Sequence, residues 1–249
     1  MGFEYVEYPV TEIERLEVNC KLFAIRVMGS ATDKIELSWR DTTMRSLEVK
    51  QEGNTLKLID HAAIGIYGTL ALINLKKDDQ LLIKLPESFT GKAIIQSKSE
   101  SVHLSDLKFP GNLGVSSDAG EILLENVETT KIDIRGNLCK VNCYGVGVTE
   151  TLDISSKTGQ IQCYVDGTEE EYSVFCNTER KRHVAVTADH SDTYRHRGIR
   201  ANIPEQLGHG PRKVCITTET GQIDFAFQNG VRTRKTAGRY RHRNSFQDW

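Results

Sequence analysis

The sequence lacks any long hydrophobic run and is poor in proline and aromatic residues. Its longest uncharged apolar stretch, residues 62–75, is too short to cross a hydrocarbon core of about 30 Å as a helix. Residues 1–12 carry acidic side chains and no apolar secretory core. We therefore expect no signal peptide or membrane span and a cytoplasmic location, or a surface location if a natural leader has been removed.

Strong charge of one sign and paired cysteine motifs are also missing. The formal net charge is -2, which does not favour nucleic acid as a partner. None of the 6 cysteines forms a CxxC pair, which argues against zinc and thioredoxin-type sites. We interpret the thiols as small core residues of a reducing compartment. A disulfide between Cys143 and Cys163 is the alternative. No cofactor, metal site or catalytic residue is predicted.

A sequence pattern of about ten residues recurs through the chain. Its clearest copies are Leu113–Ile122, Leu152–Ile161 and Val214–Ile223, and looser copies start at Ala93, Ile132 and Val174. The spacing between successive copies is nineteen or twenty residues over much of the chain, as from Ile122 to Val141 to Ile161. A fixed period of this size indicates one structural unit that is stacked many times.

Each copy alternates apolar and polar residues, as a half-buried strand does. A polar corner with a glycine follows, at Gly120, Gly159 and Gly221, where we expect a positive φ. A second strand then begins. Its predicted inward side chains are Ile122, Leu124, Val141, Cys143, Ile161, Cys163, Ile223 and Phe225. Its outward positions include Tyr144 and Tyr164, and we expect a solvated wall with small polar groups such as Asp133, Asn142, Asp153 and Gln162.

These patterns predict an all-β chain: a parallel, single-stranded β-solenoid of about twenty residues per rung. Because parallel crossovers are usually right-handed, we expect a right-handed coil. Residues 1–80 alternate in short segments, with a hairpin turn at Gly53-Asn54, and are expected to form an antiparallel β cap region and a connection. The solenoid repeats are predicted over residues 81–228, with a loop insertion at 188–213. Residues 229–249 form a basic tail.

The insertion and the tail supply most of the candidate interaction residues. Inserted loops often bind partners, and clustered basic side chains can hold an anionic membrane surface. The ladder tyrosines offer a second, aromatic surface. The complete candidate surface is Arg195, His196, Arg197, Arg200, Arg232, Arg234, Arg239, Arg241, Arg243, Tyr144 and Tyr164.

The layout resembles the bacterial putative-adhesin domain family, a β-strand-repeat family of unknown function. The resemblance is carried by Ile13–Val18, Gly53–Leu58, the Ile83–Pro86 step, and the repeats Ser116–Ile122, Ser155–Ile161 and Thr217–Ile223. It covers about residues 10–228. The resemblance brings no catalytic residues, and the basic tail and histidine-rich insertion depart from the family pattern.

We therefore hypothesise a non-enzymatic scaffold or adhesin-like interaction module that binds an unknown protein or glycan partner, or that self-associates. One alternative is a membrane-associated component of an envelope-stress regulator that uses the basic tail. Another is a polysaccharide-cleaving β-helix enzyme, in which Asp133 and Asp153 would stack one rung apart.

Overall fold

A computed structural model describes residues 3–41, 45–62, 80–178, 184–187 and 206–228. These residues are all-β: one sheet of fifteen strands in mixed orientation, and among them only a 3₁₀ turn at Val10–Glu12 is helical. The strands are β1 (Phe3–Pro9), β2 (Arg15–Cys20), β3 (Ala24–Ser30), β4 (Lys34–Arg40), β5 (Arg45–Glu52), β6 (Thr55–Ala62), β7 (Gln80–Pro86), β8 (Lys92–Ser97), β9 (Val102–Lys108), β10 (Asn112–Thr158), β11 (Ile161–Asp166), β12 (Tyr172–Thr178), β13 (Val184–Thr187), β14 (Arg212–Thr218) and β15 (Ile223–Gln228).

The parallel strands build two walls that face each other across the core. The first wall holds β2, β6, β8, β12, β14 and parts of β10, and the second wall holds β3, β7, β9, β11, β13, β15 and other parts of β10. We call a first-wall strand and the second-wall strand that follows it a rung. Parallel partners include Ala93 with Leu113, Val102 with Ile122, and Val141 with Ile161. Like positions of the repeat therefore lie above one another.

The core is one continuous column of apolar side chains between the walls. The eight side chains that alternation placed inward on the second wall are all 0% exposed, which confirms that prediction. Leu107, Val127 and Val146 fill a further buried position at the end of each second-wall strand. Burying a side chain of this size contributes about 1.5–3 kcal/mol, so each rung is stabilised only when the next rung covers it.

The corner glycines are needed for two different reasons. Gly120 and Gly159 have φ values of +97° and +134°, as expected. Gly221 lies outside the positive-φ region, so the expectation was wrong there. A Cβ on Gly221 would instead lie 1.8 Å from the carbonyl oxygen of Gly159. Close backbone approach between stacked corners, and not φ, excludes a side chain at that position.

The N-terminal segment mixes parallel and antiparallel pairing, so the expected antiparallel cap region is only part of it. β2 pairs in parallel with both β6 and β8, and β3 pairs in parallel with both β7 and β9. Leu16 and Val18 point into the column like any later repeat, because β2 has the same alternation. Among the described N-terminal strands, the antiparallel pairs are β1 with β4, β4 with β7, and the β5–β6 hairpin, whose turn Gly53 has φ +58°.

The C-terminal rung is also out of chain order. β14 lies between β10 and β12, and β15 lies between β11 and β13. Shortly before β14, Leu207 lies on the opposite edge of β12, where it exchanges backbone hydrogen bonds of 2.8 and 2.9 Å with Val174. The chain then crosses the start of β12 at Gly210, where a Cβ would lie 1.9 Å from the carbonyl carbon of Glu171.

Candidate interaction surface

The outer face of the second wall carries the most distinctive set of side chains among the described residues. Strand alternation turns every second residue of β3, β9, β11, β15 and the second-wall parts of β10 away from the core. The resulting columns hold aromatic, amide and charged groups and one aliphatic side chain: His103, Leu123, Glu125, Asn142, Tyr144, Gln162, Tyr164 and Asp224. We call this set the second-wall face.

Two stacked tyrosines lie at the centre of the second-wall face. Tyr144 and Tyr164 are partners in the parallel β10–β11 register, and their ring centroids are 5.5 Å apart at an interplanar angle of 54°. The Tyr144 hydroxyl donates to Gln162 Oε1 at 3.2 Å, and the Tyr164 hydroxyl donates to Asp224 Oδ2 at 3.0 Å. The register therefore brings together the two tyrosines that the sequence marked as candidates.

The second-wall face is less solvated than we expected from the sequence. Tyr164 is only 7% exposed and Asn142 only 3% exposed. The small Ala226 stands opposite Tyr164 in the next strand, which leaves room for the ring. Burial, together with the nearby carboxylate of Glu121, raises the pKa of Tyr144 above its usual range. Tyr144 therefore keeps its hydroxyl proton and acts as a hydrogen-bond donor at neutral pH.

Charged and amide groups surround the tyrosines. His103 Nε2 and Glu125 Oε2 lie 2.8 Å apart on neighbouring strands. Asn142 Nδ2 donates to Glu121 Oε1 at 2.5 Å, and the Asn142 Oδ1 atom is buried without a hydrogen-bond partner. A half-buried Tyr144 ring packed on the buried Tyr164, with a polar rim, matches the composition of protein recognition surfaces, where tyrosine is enriched.

A second feature, a polar cleft at the corner beyond the second wall, was missed by the sequence analysis. The cleft has a volume of about 460 Å³, and acids, bases and Tyr172 line it. Asp106, Asn126 and Gly145 adopt positive φ values of 49°, 54° and 62° in successive turns, and Asn126 Nδ2 donates to Asp106 Oδ1 at 2.8 Å. These three positions are twenty and nineteen residues apart. Asp, Asn and Gly are the residue types that most readily adopt the left-handed conformation, so their regular spacing in the sequence could have predicted these turns.

The described cysteines are all free, and burial raises the pKa of Cys20, Cys139 and Cys215 above the usual range. Cys143 and Cys163 are register partners in the core, and no disulfide joins them. The adjacent Cys143 thiol and burial raise the pKa of Cys163, and burial raises the pKa of Cys176 to about 12. Thiols of this kind are poor nucleophiles and metal ligands at neutral pH. In the part of the chain that the structure describes, no three His, Cys, Asp or Glu side chains are grouped to hold a metal ion.

The carboxylates of the enzyme alternative have ordinary surface partners. Asp133 forms an ion pair of 2.9 Å with Arg135, and both side chains are largely exposed. Asp153 stands opposite Cys215 in the β10–β14 register. An exposed ion pair of this kind is typical of a solvated strand face. Neither contact places a carboxylic acid and a base on opposite sides of a groove.

The remaining predicted surface residues fall outside the described residues. The four in the insertion are Arg195, His196, Arg197 and Arg200, and the five in the tail are Arg232, Arg234, Arg239, Arg241 and Arg243. Helices long and apolar enough to cross a bilayer are absent from the described ranges.

Known proteins provide an independent comparison. The model of the Toastrack DUF4097 family matches residues 13–171. A crystal structure of a putative cell adhesion protein from Clostridium sporogenes is similar, with 12% identity and a TM-score of 0.49 over 91% of this chain and 99% of the other. A putative adhesin from Bacteroides fragilis is similar with 13% identity and a TM-score of 0.44, over 91% and 97% of the two chains. No curated protein matches the chain. Because the family model spans well over half of the sequence and carries the β-solenoid-like fold, the chain belongs to the Toastrack DUF4097 family.

Proposed function

We propose that this chain is a non-enzymatic, adhesin-like interaction module that binds a protein or glycan partner through the second-wall face. The observation that carries the proposal is the Tyr144–Tyr164 pair, two rings 5.5 Å apart on a wall built from parallel strands. Aromatic rings supply apolar contact area and a hydroxyl at a low entropic cost, which is why they anchor many binding surfaces.

The rim of this face supports the same proposal. Gln162, Asp224 and the His103–Glu125 pair flank the rings with donors and acceptors. Sugars present hydroxyl groups around faces rich in C–H bonds, so a ring with carboxylates and amides beside it is chemically matched to a glycan. The same groups also match a peptide segment with an aromatic or polar side chain.

The solenoid itself supports a binding role over a catalytic one. Stacked rungs offer a long surface whose neighbouring positions are related by the strand spacing of about 4.8 Å. We infer that the coil is right-handed with about twenty residues per rung. We further infer that the antiparallel pairs β1–β4 and β5–β6 close its N-terminal end.

Binding to an array of immobilised oligosaccharides and purified surface proteins tests the proposal. Tyr144→Ala should weaken the strongest interaction at least tenfold, because it removes the partly exposed ring of the pair. The matched control is Tyr5→Ala, whose ring is 51% exposed on β1 and distant in the strand order. Equal loss in both variants, or no binding by the unmodified protein to either class, would contradict the proposal.

A further inference from the structure

The placement of the C-terminal rung points to exchange between two copies of the chain. The exchanged unit is residues 206–228, which contain Leu207, β14 and β15. This unit fills a slot whose two sides are built by earlier parts of the chain. One side is the last part of β10 with β11, and the other is β12 with β13.

Both strands of the unit have a parallel partner on each side. In register, Val214 lies between Leu152 and Val174, and Ile223 lies between Ile161 and Val184. Val214, Ile216, Ile223 and Phe225 are all 0% exposed. A chain whose C-terminal rung is elsewhere would therefore expose apolar groups and unpaired strand edges on both sides of the slot, which is the state that most favours capture of a matching strand.

The unit from a second copy is chemically identical to the native one. It makes the same parallel ladders, the same Leu207–Val174 hydrogen bonds and the same glycine crossing at Gly210 beside Glu171. Insertion at the end of a stack would need only one matching edge, whereas this slot needs two. The slot should therefore accept the C-terminal rung of a second copy of this chain in preference to an unrelated strand.

We propose that two copies reciprocally exchange residues 206–228 and form a closed dimer, in which each slot holds the partner copy's C-terminal rung. Such an exchange adds no new class of contact, because every interaction in the dimer is already made within one chain. Its free-energy balance is set by concentration. The intramolecular unit has an effective concentration on the order of 1 mM, so refolding at about 100 µM should yield roughly a tenth of the chains as exchanged dimer. This inference is independent of the proposed binding function.

The register supplies a direct test in the full-length chain. Asp153 is exposed and stands opposite the half-buried Cys215, so Asp153→Cys creates a thiol pair across the β10–β14 boundary. The protein is unfolded, refolded at concentrations from about 1 to about 100 µM, and treated with a short bismaleimide that joins neighbouring thiols. Denaturing electrophoresis then separates a link within one chain from a link between two.

A covalent dimer whose share rises in proportion to the refolding concentration is the expected result. The matched control is His103→Cys with Leu123→Cys in a Cys215→Ser background, because these positions are parallel partners outside the exchanged unit. The control pair should link within the chain at every concentration. Because Cys176 lies near Cys215 on the neighbouring strand, every variant also carries Cys176→Ser, and linkage of Cys215 in the chain with Cys176→Ser alone measures random collision.

Two outcomes would overturn the inference. One is linked monomer alone in Asp153→Cys at all concentrations, and the other is as much linked dimer in the control. Light scattering of the unmodified full-length protein after the same refolding series is the second measurement. A monomeric mass throughout the series would overturn the inference even if the engineered thiols failed to react.

Discussion

Adding one methyl group at the Gly159 corner should destabilise the whole solenoid. Gly159 has φ +134°, and a Cβ there would lie 2.1 Å from the carbonyl oxygen of Cys139 in the rung below. The obstructing atom is backbone, so relief requires the two rungs to separate locally. The neighbouring backbone bond from Val141 N–H to Gln160 O, at 3.0 Å, would then lengthen or break.

The size of the loss follows from these two effects. A side chain in the positive-φ region costs roughly 1–2 kcal/mol. Leaving buried backbone groups without partners costs about 1–3 kcal/mol for each group. With one backbone group left unpartnered, Gly159→Ala should therefore lower the free energy of unfolding by about 2–5 kcal/mol. With a urea m-value near 3 kcal/mol/M, the unfolding midpoint should fall by about 0.7–1.7 M.

Gly53→Ala is the matched control. Gly53 also has a positive φ of +58°, but nothing lies within 4 Å of the position its Cβ would take. This variant should lose only the conformational part, about 1 kcal/mol. Urea unfolding followed by circular dichroism gives both values. Equal losses for the two variants would refute the argument that contact between stacked corners excludes a side chain at Gly159.

Three further predictions concern a buried carboxylate, an ion pair and the thiols. Asp60→Ala should lower the free energy of unfolding by about 2–3 kcal/mol in urea titrations, because Asp60 Oδ2 accepts the N–H groups of Lys21 and Leu22 at 2.8 and 2.6 Å. An unchanged midpoint would contradict this. The Lys84 ammonium, 2.8 Å away, lowers the pKa of Glu36 below its usual 4.5. The folded state thus binds this proton less readily than the unfolded state, so the stabilisation is present above about pH 4.5 and is lost as the pH falls through the lowered pKa. Lys84→Met should reduce the acid-induced drop in thermal stability, and an identical pH profile would refute the assignment. In a thiol-reagent titration at neutral pH, the two half-buried cysteines should react slowly in the native protein and the four buried ones should react only after unfolding. Rapid native reaction of all six would contradict the buried-core interpretation.

Much of the fold could be predicted because alternation and spacing are local properties. Cys143 and Cys163 were assigned to the core from parity alone, and both are buried in register. The same parity placed Tyr164 outward, which is correct for the strand face but not for its exposure. The burial of this ring depends on Ala226, which lies sixty-two residues away in sequence. No local pattern carries that information.

Only part of the candidate site could be predicted, because sequence patterns show regular spacing but not long-range contacts. The Tyr144–Tyr164 pair follows from a twenty-residue spacing, so it was visible as a ladder. The stacked turn at Asp106, Asn126 and Gly145 joins three residue types that share a backbone conformation and not a side-chain chemistry. Comparison by residue type therefore overlooked it.

The amino-acid order alone determined which side chains line the core, because facing in or out repeats every two residues along a strand and every rung follows the same rule. It did not determine which rung stacks on which. β2 and β14 carry the same alternation as their neighbours, so any rung could in principle cover any other. Only the folded chain decides that β2 lies between β6 and β8 and that β14 lies between β10 and β12. The physical reason is that strand pairing depends on edges that become available as the structure closes, and those edges belong to the assembled walls and not to any one segment.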